Sequence, residues 1–123
     1  MLSIAAILVL LVAQGFLLQT SVALSGEAAP RYGSALITAL IGAFVGTLAA
    51  TGYSCTAGLF VSLLVSSQLS WAVAAGVGWI ATAAVYRRRL ELRPGHAMLV
   101  AGMHHVMASA LSGAVYFAIQ FVA

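Results

Sequence analysis

The chain has 123 residues, of which 63% are hydrophobic and 6% charged, with a mean hydropathy of +1.12 and a net charge of +3. Soluble domains carry about 25% charged residues, so this composition excludes a water-facing surface. It also excludes nucleic-acid binding, because no basic pattern interleaved with aromatics accompanies the charge. A bilayer is the solvent that fits, and at roughly 20 residues per span the length admits about four or five helices. Strands with the alternation a membrane barrel needs are absent. The expectation is an all-α polytopic membrane bundle of about four transmembrane helices, one integral domain covering 1–123.

The first span is expected at 2–24. No Lys or Arg precedes Arg31, and the apolar run exceeds twenty residues. A secretory signal has a basic start and a short apolar core, so the segment reads as a transmembrane helix. The stretch "SGEAAPRYGS", 25–34, follows with turn chemistry from Gly, Pro and Ser.

From Gly33 to Tyr86 the chain stays apolar, with two soft spots, "GYSCT" at 52–56 and "SSQLS" at 66–70. The favoured division is a long second helix over 33–65, with a break near Gly52–Thr56 as the alternative, then a third span over 70–86. No proline stops the second helix, and an internal Gly weakens a helix by only about 1 kcal/mol. A helix over 33–65 would be roughly 50 Å long, well beyond a hydrocarbon core of about 30 Å.

The stretch "YRRRLELRPGH", 86–96, precedes a last span at 96–122. Arginine-rich short loops stay cytoplasmic. With four spans, Arg31 falls on the same side as Arg87, Arg88, Arg89 and Arg93. The expected arrangement in a plasma or inner membrane is therefore loops 25–34 and 86–96 in the cytoplasm, both termini outside, and these arginines as cytoplasmic anchors. Trp71, Tyr86 and Tyr32 near the span ends read as interfacial aromatics.

Small residues mark helix contacts in membranes, where close backbone approach replaces the hydrophobic effect. Ser34, Thr38, Gly42, Gly46 and Ala50 recur every four residues. Gly76 and Gly78 sit in a similar stretch of the third span, and Gly113 in the last. These faces are expected to pack within the chain or between copies, in a homo-oligomer or a larger membrane complex.

The last span holds "GMHHVM", 102–107. On a helix advancing 100° per residue, with His104 as zero, Ser112 falls at about 80°, His105 at about 100° and Tyr116 at about 120°. Ser109 and Gln120 follow at about 140° and 160°, while Met103 and Met107 lie near 260° and 300°. The histidines thus share a broad polar face with Ser109, Ser112 and Tyr116, and the neighbouring methionines point elsewhere. Gln14, halfway along the first span, is a candidate partner. Ionisable groups at that depth face the bundle interior or water. Three roles stay open: hydrogen-bonding glue between helices, a polar path, or haem or copper ligation by His104 and His105.

No CxxCH attachment motif is present, and Cys55 is the only cysteine. The two acidic residues, Glu27 and Glu91, fall outside the spans, which excludes Ser-His-Asp and HExxH arrangements. The function expected from the sequence is a non-enzymatic subunit of a membrane assembly, such as a channel or translocation path, without a cofactor. The alternative is a haem- or copper-binding electron-transfer subunit.

Overall fold

The computed structural model describes residues 4–122 and holds five helices, with no strand among the described residues. They are α1 (Ile4–Leu24), α2 (Tyr32–Cys55), α3 (Ala57–Leu64), α4 (Ser67–Leu90) and α5 (Pro94–Val122). All but α3 are long and apolar enough to cross a membrane, and large apolar side chains such as Ile4, Phe16, Phe44 and Phe121 stand exposed on their surfaces. The chain is an all-α integral membrane protein.

α1 ends in a turn that its sequence dictates. The Glu27 N–H donates to the Val22 carbonyl and the Gly26 N–H to the Ala23 carbonyl, the paired bonds of a Schellman cap. That cap needs a left-handed residue, and Gly26 supplies it with φ +84°. At the other hairpin, Arg87, Arg88 and Arg89 occupy the last turn of α4, where cations complement the carbonyl end of the helix dipole. Glu91 then adopts φ 54°, and Pro94 opens α5, at a position where a missing N–H loses nothing.

The second span is not the long helix expected over 33–65 but takes the alternative, a break near Gly52–Thr56. It stops at Cys55, and Thr56 breaks the backbone with φ −120° and ψ −101°. The break is held both locally, by the Thr56 hydroxyl donating to the Gly52 carbonyl at 2.7 Å, and by tertiary contact. The break seats Gly58 so closely that a Cβ there would lie 3.0 Å from the Tyr53 carbonyl oxygen, and the Ser70 hydroxyl donates to the Gly58 carbonyl at 2.9 Å. The eight residues of α3, about 12 Å long, cannot cross a membrane. They cover the α2–α4 end of the bundle and leave Leu63 and Leu64 more than 80% exposed.

α4 likewise runs past the expected 70–86. Ser66 caps its start by accepting from the Leu69 N–H at 3.1 Å, and its end reaches Leu90. The arginines at 87–89 are therefore helical, and the expected loop over 86–96 shrinks to residues 91–93. α5 begins two residues earlier than expected, at Pro94.

α1 packs on α2 and α5, α2 on α4, and α4 on α5, closing a four-helix ring. α2 and α4 share its most extensive contact. The Thr82 hydroxyl of α4 lies 3.1 Å from the Gly42 carbonyl of α2 and 2.9 Å from its own Gly78 carbonyl. Gly46 and Gly78 touch backbone to backbone: a Cβ on either would sit 3.0 Å from the carbonyl oxygen of the other.

The apolar core is lopsided. Leu18, Val22, Ala35, Ala39, Ala83, Tyr86, Val100 and Ala101 form it, all in the half beside the two short loops. Along α1 no residue before Gly15 is buried, along α2 none beyond Gly46, and along α5 none beyond His104. The loop end is tied further by His96 and Glu27, whose Nδ1 and Oε1 lie 2.6 Å apart. Arg89 also donates from Nε to the Thr38 hydroxyl at 3.2 Å.

Candidate functional site

Above this core, all four long helices contribute to an open cavity of about 250 Å³ that mixes polar side chains with a largely apolar surface. α1 supplies Gln14, α2 Ala43, and α4 Thr82 and Tyr86. α5 supplies His104, His105, Ala108, Ser109 and Ser112. His104 stands ten residues into α5 and Gln14 ten residues before the end of α1. At 1.5 Å per residue both lie roughly 15 Å from the loop end, midway through a hydrocarbon core of about 30 Å.

The two histidines, adjacent in sequence, are held differently. His104 is 4% exposed. Its Nδ1 lies 2.6 Å from the Tyr86 hydroxyl, while its Nε2 is buried without a hydrogen-bond partner. Tyr86 is itself fully buried. His105 is exposed in the isolated chain, and its Nδ1 sits 2.7 Å from the Ala101 carbonyl one turn back. The rings are roughly edge-on, with centroids 6.2 Å apart.

Of the residues singled out from the sequence, the structure gathers His104, His105, Ser109, Ser112 and Gln14 around one cavity. Gln14 does not bond to either histidine. Its side-chain amide donates to the Leu10 carbonyl of its own helix at 3.3 Å. Tyr116 is not among the lining residues; it is 53% exposed, with its ring edge-on to Phe117.

Thr38, Gly42, Gly46 and Gly78 are buried; Ala50 touches the Gly78 position, with its Cβ 3.4 Å from where a Gly78 Cβ would be. Gly76 and Gly113 meet nothing within the chain. Arg31, Arg87, Arg88 and Arg93 are exposed at the loop end.

Tyr86 is the site residue that sequence reasoning missed. Its position beside three arginines suggested an interfacial anchor, yet it faces inward. Four-residue spacing with Thr82, Gly78 and Ala74, all buried, is the signal that places it on the interior face of α4.

The chemistry available is hydrogen bonding by neutral groups, since no Asp, Glu, Lys or Arg lines the cavity. Among the described residues no three or more His, Cys, Asp or Glu side chains cluster as a metal site, and Cys55 is exposed at the opposite end of α2. On the other face of α5 an apolar groove of about 630 Å³ is lined by residues that include Trp79, Met98, Met103 and Met107. Compared with known protein families, curated proteins and solved structures, the chain matches none.

Proposed function

We propose that this protein is a non-enzymatic subunit of an oligomeric membrane assembly, and that its cavity is the inner end of a one-sided translocation path. The observation that carries this is the position of the cavity. It lies about halfway along the long helices, sealed on the loop side by Leu18, Val22, Tyr86 and Val100, each at most 1% exposed. On the other side the polar residues continue without cover: Ser109, Ser112, Tyr116 and Gln120 are exposed along α5. Exposed polar groups inside a bilayer require water or a protein partner. A water-filled vestibule bounded by neighbouring copies satisfies both requirements. By the positive-inside rule, the arginine-rich loop end is cytoplasmic and the vestibule opens outside.

Cysteine accessibility tests the path. In a Cys55→Ser background, Ser109→Cys and Ser112→Cys are expected to react with a membrane-impermeant thiol reagent added on the side of the termini, and Leu18→Cys with reagent from neither side. Ser112→Cys that stays unreactive from the terminal side, or reacts only from the loop side, would rule the vestibule out.

Haem or copper ligation by His104 and His105 is the competing function, supported by the adjacent imidazoles and a His104 Nε2 with no hydrogen-bond partner. It needs ligands from a second copy. An absorption spectrum with metal analysis on gently purified protein separates the two.

A further inference from the structure

Resting on the cavity as a solute path, we infer that His104 and His105 form a donor–acceptor pair that takes a small uncharged solute able both to give and to receive hydrogen bonds. The two rings are locked in opposite tautomers by their partners. The Ala101 carbonyl can only accept, so His105 Nδ1 must carry its proton at the 2.7 Å contact. A neutral His105 then has an unprotonated Nε2, an acceptor.

His104 is fixed by counting hydrogens. Tyr86 is fully buried and its hydroxyl has His104 Nδ1 as partner. If Nδ1 donated to Tyr86, the phenol hydrogen would be buried without an acceptor and His104 Nε2 without a donor. If Tyr86 donates to Nδ1, one unpaired group remains, the Nε2–H of His104. Buried polar groups are paired in folded proteins, so the second arrangement holds. The unpaired Nε2–H is itself buried, on a residue only 4% exposed that borders the cavity. It is a donor waiting for an acceptor.

One ring thus offers a hydrogen and the other a lone pair, with the hydroxyls of Ser109 and Ser112 further along the same wall. A neutral protic molecule such as urea or glycerol complements that set. A free ion finds no opposite charge in the lining. The volume of about 250 Å³ corresponds to roughly eight waters at about 30 Å³ each, room for such a solute with part of its hydration.

Two measurements on the full chain in lipid test this. Nitrogen-15 spectra of the histidines in mildly alkaline buffer should show His104 protonated at Nε2 and His105 at Nδ1. Tyr86→Phe should release His104 into a mixture of tautomers and leave His105 unchanged. The same tautomer on both wild-type rings would overturn the inference without a variant that has to fold. Transport requires the loop-side seal of Leu18, Val22, Tyr86 and Val100 to open transiently for a solute of this size. Light-scattering assays on proteoliposomes should then show urea and glycerol entry faster than in protein-free vesicles and faster than potassium chloride entry. His104→Leu, checked for an unchanged elution profile, should lower the protein-dependent entry by roughly tenfold, the size of one lost hydrogen bond.

Potassium chloride entry equal to or above that of urea would refute the neutral solute while leaving the path standing. So would absent urea and glycerol flux in a protein whose Ser112→Cys variant still labels from the terminal side. Failure of that labelling would instead bring down the path itself, and the solute assignment with it.

Discussion

Gly46→Ala adds a single methyl group at the close backbone contact between α2 and α4. Its Cβ would overlap the Thr82 hydroxyl and stand 3.0 Å from the Gly78 carbonyl oxygen, whereas ordinary contact starts at 3.4 Å. The carbonyl cannot rotate away, so α2 and α4 must separate by about 0.4 Å, the difference between those two distances. Thr82 must also turn, giving up its 3.1 Å contact with the Gly42 carbonyl. Overpacking of this kind costs about 1–3 kcal/mol, and an interhelical hydrogen bond in a membrane contributes about 0.6 kcal/mol. Alanine returns about 1 kcal/mol of helix propensity. The net expectation is a loss of about 0.6–2.6 kcal/mol.

Gly76→Ala is the control. A Cβ there meets nothing, so only the propensity gain remains, about 0.5–1 kcal/mol of added stability. Steric-trap unfolding in bicelles reads both on one scale. Gly46→Ala as stable as the wild type, or shifted in the same direction as Gly76→Ala, would refute the close α2–α4 approach.

Ser66→Ala removes the hydroxyl that caps α4 and is expected to cost about 1 kcal/mol. Amide exchange should accelerate at Leu69 while the exchange at Ala83 stays unchanged; equal acceleration at both would mean a global effect rather than a lost cap. Replacing Arg87, Arg88 and Arg89 together with glutamine should weaken the orientation set by the positive-inside rule. A topology reporter fused at the C-terminus should then report a mixture of orientations, and a single, unchanged orientation would show that those three charges do not set it.

The number of spans could be read from hydropathy, because length and apolarity suffice to identify a span. The break at Thr56 was legible only as the alternative offered by the soft spot at 52–56. Local bonds from Thr56 to the Gly52 and Tyr53 carbonyls favour it, and the Ser70 contact with Gly58, present only once α4 has folded back, is what the sequence could not supply. The arginines at 87–89 looked like loop because charge was weighed against the bilayer alone, yet at a helix C-terminus charge and helix agree. At the site, a rotation of 100° per residue was enough to put His104, His105, Ser109 and Ser112 on one broad face. It could not tell that His104 is buried while His105 is exposed, since that depends on where α4 lies. Nor could it find Tyr86, whose role rests on a hydroxyl reaching across to a helix eighteen residues away in sequence.

The lopsided core separates two demands that most proteins place on the same residues. Folding draws on the loop-side half, where the buried side chains of α1 and α5 are confined to Gly15–Val22 and Ala97–His104. The lining toward the open end, Ser109 and Ser112, buries nothing. Substitutions there are therefore expected to stay close to neutral for stability, as surface changes generally do. Natural variation could alter the size and polarity of the entrance step by step, with each intermediate still folded, so a scaffold of this shape can acquire new solute preferences without first acquiring spare stability.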